Sequence, residues 1–456
     1  MQETTKKLLG SVIISPEVIE ETKKDVKSAE TFGNKIKECI NQNTTGLLDI
    51  ILSGAIALDA SDIHIEPQEE EARLRIRLDG VLQDIIFFNQ KIYSSLTSRL
   101  KLLSRIKLNV TDKPQDGRFS IEMTDSLIEI RASVLPAEYG ESIVMRILNP
   151  KNLIGIDELG LRKDLYKIFE EEIQKPNGMI IVTGPTGSGK TTTLYAFLKK
   201  IQNPEIKIIT IEDPIEYHLK GISQTQVAPE KGYDFSDGLR SIVRQDPDVI
   251  LVGEIRDLET AKISLQAALT GHLVLSTLHT NDAAGTIPRL VDLGAEPSSI
   301  APALKMAVAQ RLVRKVCKKC SVLSKPTAEE LSEIKKGLKS LPLSIEIKNL
   351  NKIEIPRIKK EGCELCSFTG YKGRRGLFEV FLVDPEIEKF ILTNPPVSSI
   401  KELAIKKGMI TMYQAGLIDV VSGYTTLEEV KRVAEADKNI EAKSGPGVGG
   451  VFMSET

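Results

Sequence analysis

Eight residues, GPTGSGKT from Gly184 to Thr191, match the pattern G-x-x-x-x-G-K-[ST]. They follow the apolar run MIIVTG and precede the helical pattern TTTLYAFLKK, which is the context the chemistry requires. Glycines let successive backbone N–H groups turn into one concavity, and the helix N-terminus adds its positive end. Gly184, Pro185, Thr186, Gly187, Ser188 and Gly189 would then wrap a phosphate chain. Lys190 would reach the β and γ phosphates, and the Thr191 hydroxyl, with Thr192 beside it, would meet magnesium. A bare glycine-rich turn is the alternative for this pattern.

Carboxylates supply the second element of chemistry. In DVILVGEIRD the apolar run Val249 to Val252 reads as a buried parallel strand delivering Glu254 to a sheet edge. Ligands of open α/β sheets bind beyond the carboxyl ends of the strands, so Glu254 falls near the phosphates. The usual magnesium-binding acid at such a position is Asp; here the strand ends in Gly-Glu. Glu212, Asp213 and Glu216 follow the strand KIITI. Hydrolysis needs one acid for the magnesium shell and another to orient the attacking water, against the alternative that the Glu212 cluster is a solvated loop or helix cap. TGHLVLSTLHTNDA places two of the chain's four histidines at the ends of a further strand. His279, at the carboxyl end beside Thr280, Asn281 and Asp282, is better placed than His272 to sense a phosphate; a packed or hydrogen-bonded ring is the alternative.

Cys317-Lys-Lys-Cys320 and Cys363-Glu-Leu-Cys366 offer two ligand pairs, each on a tight turn, and suit tetrahedral zinc. Reduced buried thiols or a redox pair are the alternatives. The long intervening loop is no obstacle, because closure entropy grows only logarithmically, and Lys318 and Lys319 are expected to help keep the thiols ionised. The fifth cysteine, Cys39, stands alone in NKIKECINQN and is given a packing role.

The elements that must position these groups fall into blocks. A chain of 456 residues suggests two to four domains, and 61 basic against 63 acidic residues give no global field toward nucleic acid. No apolar stretch reaches the eighteen or so residues that span a bilayer, and MQETTKKLLGSV lacks the core of a secretory signal; the expected location is cytoplasmic. Residues 1–46 are charged and helical in pattern, an N-terminal arm. Residues 47–150 form a smaller α+β domain: an apolar helix, then ARLRIRL and VLQDIIFF meeting at Asp79-Gly80, then RFSIEM and LIEIRASVL meeting at Thr124-Asp125-Ser126. Residues 151–175, with NPKNLIGIDELGL, are a linker and the start of the next domain. From 176 to 444 short β-rich runs alternate with helical patterns, which means a parallel sheet with crossovers. Gly271 is placed to end one helix, and Thr426-x-x-Glu429 to open another as a capping box. This block holds the cysteine module 317–366 and the C-terminal helices. Residues 445–456 have the composition of a disordered tail.

Taken in order, GPTGSGKT, TIEDPIEY, LRSIVRQDPDVILVGEIRD and TGHLVLSTLHTNDA resemble the secretion ATPase superfamily, specifically the assembly ATPases of type II secretion and type IV pili. The likeness extends upstream to ASDIHIEP, PQDGRFS and LPAEYGESIVMRIL and downstream to the cysteine pairs and GYKGRRGLFEV, roughly residues 47 to 440. The resemblance implies a homohexameric ring of RecA-like P-loop ATPase domains of α/β class, each preceded by a smaller PAS-like domain that moves against its neighbour. It implies ATP, Mg2+ and Zn2+ as ligands and a cytoplasmic motor at the inner membrane. It further implies a platform protein as partner, peripheral membrane association through protein contacts, and no specific nucleic acid. Lys190 and Thr191 bind the triphosphate and magnesium, Glu254 is the Walker B acid, Glu212 the acidic-box residue, and His279 the histidine-box residue. Water orientation goes to Glu212 and the magnesium shell to Glu254, or the reverse. Arg118 and Arg131 from the smaller domain, and Arg240, Arg244 and Arg256 from the ATPase domain, are candidates to neutralise developing phosphoryl charge; a solvated surface charge is the alternative for each. Retraction ATPases of the family lack the cysteine module. The phosphate loop begins earlier than in full-length members, leaving about forty-five residues where they carry an additional platform-docking domain, so a shortened form is expected. Two rival functions are a conjugative or DNA-translocating relative and a nucleotide-binding scaffold without turnover.

Overall fold

The computed structural model describes residues 11–40, 43–123, 127–342, 345, 350–359 and 362–434. The Thr124 to Ser126 turn and the tail 445–456 lie outside them. The architecture is mixed α/β, with two seven-stranded sheets and a small two-stranded one.

The first sheet gathers β1 (Ser11–Ile13), α1 (Pro16–Asp25), α2 (Ala29–Cys39), α3 (Thr44–Ala57), β2 (Asp62–Pro67), β3 (Glu71–Leu78), β4 (Val81–Asn89), α4 (Gln90–Leu103), β5 (Gln115–Glu122), β6 (Leu127–Ala137) and β7 (Gly140–Leu148). Its spatial order is β1-β5-β6-β7-β2-β3-β4. The alternation in EARLRIRL buries Ala72, Leu74, Ile76 and Leu78 on one face and turns Arg73, Arg75 and Arg77 to the other. Asp79 and Gly80 take φ of 48° and 86°, the left-handed pair that a two-residue hairpin turn needs. The N-terminal segment carries the expected helices, α1 and α2, and adds a strand and a share of the core. Strand β1 pairs parallel with β5, and Phe32 and Ile36 lie in the same core as Ile63, Leu74 and Ile130. Charged residues around the apolar positions Ile19, Phe32 and Ile36 mask a buried stripe there. Cys39 is buried at the edge of that core.

The stretch NPKNLIGIDELGL is more than a connector. It forms two 3₁₀ turns, Pro150–Asn152 and Ile156–Leu159, and Ile156 and Leu159 pack into the core with Phe169, Tyr195 and Phe197.

The second sheet belongs to α5 (Lys163–Ile173), β8 (Gly178–Thr183), α6 (Lys190–Ile201), β9 (Ile208–Glu212), β10 (Ser223–Gln226), α7 (Phe235–Val243), β11 (Val249–Val252), α8 (Leu258–Leu269), β12 (Leu273–Leu278), α9 (Thr286–Asp292), α10 (Pro297–Ala303) and β13 (Leu304–Val316). Then come β14 (Ser321–Ser324), α11 (Ala328–Leu338), β15 (Ile355–Ile358), β16 (Tyr371–Leu382), α12 (Pro385–Ile391), α13 (Val397–Lys406), α14 (Met412–Val421) and α15 (Leu427–Val433). The order is β10-β9-β11-β12-β8-β13-β16. All neighbours run parallel except β13 and β16. Strands β8, β9, β11 and β12 are buried at every residue, because helices cover both faces and form two separate cores. Strand β12 lies between β8 and β11, so the carboxyl ends of three strands open on one crevice.

Strands β14 and β15 pair with each other, and α11 packs with α14 and α15 in a further small core. Thr426 caps α15 by accepting from the Glu429 N–H. The expected reciprocal bond is replaced: the Glu429 carboxylate turns inward to Arg314 and Arg432, stronger charge-assisted partners. Among the described residues no helix is long and apolar enough to cross a membrane.

Candidate functional site

The loop after β8 is shaped by its glycines. Gly184, Gly187 and Gly189 take φ of 147°, 79° and 90°. A Cβ on Gly184 would lie 2.5 Å from the Gln310 carbonyl oxygen and one on Gly189 2.8 Å from the Gln310 side-chain nitrogen, so β13 dictates both. Lys190 opens α6, and its Nζ donates to the carbonyls of Gly184 at 2.8 Å and Pro185 at 3.2 Å. Burial lowers the Lys190 pKa, with the nearby Arg311 adding to the effect and the negative Glu254 opposing it. Thr191 and Thr192 stand half-buried in the first turn of α6. No side chain caps that helix, so its first N–H groups are available to an anion. The Ser188 hydroxyl is buried with no partner among the described residues. An orphaned hydroxyl, free helix N–H groups and a lysine folded onto loop carbonyls all fit a phosphate chain.

Glu254 follows β11 and is mostly buried. Arg256 pairs with its Oε1, and His279 Nε2 stands 3.4 Å from its Oε2. The second Arg256 arm lies 3.8 Å from Asp213. His279 is exposed at the end of β12, whereas His272 sits at the opposite end, its Nδ1 2.9 Å from the Ala267 carbonyl. Thr183, the last residue of β8, and Thr280 share a hydroxyl contact of 2.8 Å, and the Thr280 N–H donates to Thr183 Oγ1. The phosphate loop and the histidine-bearing loop are thus fastened at their bases.

Glu212, expected to orient water or to hold the magnesium shell, is enclosed by donors from the chain itself. Its carboxylate is 3% exposed. The Tyr195 hydroxyl donates to Oε2, while Thr210 Oγ1 at 2.6 Å and Gln224 Nε2 at 3.2 Å donate to Oε1. β9 stands three strands from β8, about 14 Å at roughly 4.8 Å per strand. Through these bonds Glu212 joins α6, β9 and β10. The donors come from residues 17 back and 12 ahead in sequence, which spacing around TIEDP does not reveal.

The arginines separate. Arg131 on β6 reaches the acidic box, with Nη1 3.0 Å from Glu216 Oε2 and Nη2 donating to the Ile215 carbonyl, and so ties the first sheet to the second. Arg118, its cross-strand partner, is exposed. Arg240 pairs with Glu259 and Asp237, and Arg244 donates to Ser241 Oγ at 3.4 Å; these three contacts hold the two arginines at the α7 surface. Sequence reasoning passed over Tyr195, Gln310 and Arg311. The polar pair Gln310-Arg311 directly after the apolar run MAVA in β13 is the available signal.

The four paired cysteines converge. Sγ of Cys317 and Cys363 lie 3.6 Å apart, those of Cys320 and Cys366 3.7 Å, and those of Cys363 and Cys366 3.7 Å. All four fall within 4.8 Å of one another. A disulfide needs about 2.05 Å, whereas thiolates around zinc at about 2.3 Å stand about 3.8 Å apart. The Gly370 N–H donates to Cys366 Sγ at 3.2 Å. Burial raises the Cys320 thiol, helped by contacts with the other three sulfurs. Burial also acts on Cys363, but the Cys366 N–H and the neighbouring thiols outweigh it and bring Cys363 down to about 7. Lys318 and Lys319 are exposed beside the cluster.

A family model described as "Type II/IV secretion system protein" matches residues 41–432. The chain is 43% identical over 392 residues to type II secretion system protein E of Aeromonas hydrophila, covering 86% of this chain and 75% of that one. It is 44% identical over 382 residues to the type IV pilus assembly ATPase PilB of Thermus thermophilus, covering 83% of this chain and 42% of that one. Among solved structures it superposes on the pilus retraction motor PilT with bound ADP at a TM-score of 0.57, 28% identity and coverage of 86% and 98%. It also superposes on the Legionella pneumophila ATPase DotB at 0.61 and 22% identity, covering 85% and 94%, a likeness of fold.

Proposed function

The chain belongs to the type II/IV secretion system protein family, and from that premise we propose an ATP-hydrolysing hexameric motor that powers assembly of a type II secretion pseudopilus or a type IV pilus. The parallel sheet is its RecA-like core and the first sheet its PAS-like domain. The partner is an inner-membrane platform protein, engaged from the cytoplasmic face through protein contacts. The arrangement of Lys190 opposite Glu254, with His279 against the same carboxylate, carries this reading.

Lys190 leaves the Gly184 and Pro185 carbonyls to hold the β and γ phosphates, and the Ser188 hydroxyl and the first N–H groups of α6 complete the cradle. Magnesium, when bound, neutralises charge on the phosphate oxygens; Thr191 and Glu254 are the residues that would hold its shell. His279 reports on the terminal phosphate beside Glu254. Glu212 keeps α6 against the sheet. Arg131 couples the first sheet to the acidic box, and Arg118 beside it remains available to a neighbouring copy. Cys317, Cys320, Cys363 and Cys366 hold zinc as a structural staple.

Lys190→Ala tests the reading. Phosphate release should vanish while the thermal unfolding profile is kept, and undiminished turnover would refute the assignment.

A further inference from the structure

The hydrolytic scheme leaves unused a buried carboxylate, Glu379 on β16, which is 1% exposed. Its Oε1 accepts the Ala283 N–H at 2.8 Å and its Oε2 the Met412 N–H at 3.0 Å. Ala283 lies four residues beyond His279, in the loop leaving β12; Met412 is the first residue of α14. Burial raises the Glu379 pKa, with the two N–H donors and Lys401 working against that and Asp282 with it.

The same loop is fastened elsewhere. Thr183 holds Thr280, and Arg311 Nη2 donates to the Asn281 carbonyl at 2.9 Å. The Asp282 carboxylate accepts the Gly285 N–H at 2.8 Å. Every residue from 280 to 283 therefore has a bond that fixes it; hydrogen bonds from outside the loop come from β8, β13 and β16, and Lys401 of α13 adds an ion pair to Asp282 at 3.9 Å. Glu379 differs from Lys401 in joining the loop to a C-terminal helix through backbone N–H groups on both sides. A wholly buried carboxylate carries a heavy desolvation penalty, and an amide of the same size would pair one N–H and clash with the other. A carboxylate is the one side chain of that length that accepts both.

We infer that Glu379 is a positioning residue for the hydrolytic site: it sets the loop that presents His279 to Glu254 and links that loop to α14. The inference rests on the ATPase reading and concerns the C-terminal wall of the same site. Through α14, which packs on α11 and α15, nucleotide-dependent movement of His279 reaches the helices beside the cysteine module.

A double-mutant cycle on the full chain tests it, with kcat and the KM for ATP measured for wild type, Glu379→Gln, His279→Ala and the pair. Glu379→Gln is expected to lower kcat about 10- to 100-fold with KM for ATP nearly unchanged, the size of loss a small misplacement of a reacting group produces. In the His279→Ala background the same change should do little, because its effect runs through a side chain already removed. An equal fold-loss in both backgrounds, or a wild-type rate in either single variant, overturns the inference. If Glu379→Gln does not fold, Glu379→Asp, which keeps the charge and draws it back by one methylene, takes its place in the cycle. Turnover that survives Lys190→Ala would instead sink the ATPase reading itself.

Discussion

The His279 ring nitrogen stands 3.4 Å from one oxygen of Glu254 while Arg256 holds the other. Both oxygens of Glu254 thus have cationic or imidazole neighbours, and its charge acts on Lys190 as well. Neutralising the acid should therefore damage the chemical step more than binding. Glu254→Gln is expected to cut kcat by at least about 100-fold, with affinity for a fluorescent ATP analogue within a few-fold of wild type. A loss confined to affinity would move Glu254 out of the reacting centre.

Glu212 behaves as a buried bridge, and its partner Tyr195 makes that testable. Tyr195→Phe removes the donor to Oε2 and leaves a buried oxygen with one partner fewer, which costs about 1–3 kcal/mol. The thermal midpoint should fall while the nucleotide dissociation constant stays near wild type. Unchanged stability together with abolished hydrolysis would restore Glu212 to the water-orienting role expected from the sequence.

The contrast between these two acids shows what sequence can reveal. The phosphate loop was legible because its chemistry is local: eight consecutive residues, a strand before and a helix after. Glu254 was legible for a related reason, since an apolar run fixes which edge of the sheet receives the residue behind it. Glu212 satisfies the same rule, yet its environment is set by Tyr195 and Gln224, whose side chains arrive from α6 and β10. The N-terminal segment is helical at α1 and α2 as its pattern suggests, and only β1 was hidden. β1 pairs with a strand some hundred residues away in sequence, and no short-range pattern in SVI announces that. Glu379 was invisible because a glutamate in GLFEV on an edge-proximal strand looks solvated until α14 and the loop after β12 close over it.

Metal removal gives a third expectation. Purified protein should contain about one zinc per chain, and Cys320→Ser or Cys366→Ser should release it. Loss of a structural zinc deprives β14, β15 and the start of β16 of their staple, so the first unfolding transition should come at lower temperature and protease cleavage between residues 317 and 371 should rise. Zinc-free protein with wild-type stability and all four thiols freely titratable would show the cluster to be reduced packing.

The last expectation concerns acid stability and turns on Glu429. Its carboxylate is 1% exposed. It takes three bonds from Arg314, through the backbone N–H at 3.0 Å, Nε at 3.1 Å and Nη2 at 2.8 Å, and two from Arg432 at 2.9 and 2.6 Å. Burial works to raise its pKa, but the hydrogen bonds and charge of the two guanidinium groups prevail and hold it at about 2, against 4.5 for the free side chain. A depressed folded-state pKa contributes stability that is present above the unfolded value and is lost as pH falls through the folded one. The window thus runs from about pH 4.5 down to about pH 2, and the gap corresponds to on the order of 3 kcal/mol. Glu429→Gln keeps the shape and removes the titration. Wild type should exceed the variant in urea midpoint at neutral pH, and the difference should shrink steadily below about pH 5 as the unfolded carboxylate begins to bind protons. A difference that stays constant across that range would mean that packing of α15 on β13, rather than the ion cluster, holds the C-terminal helix in place.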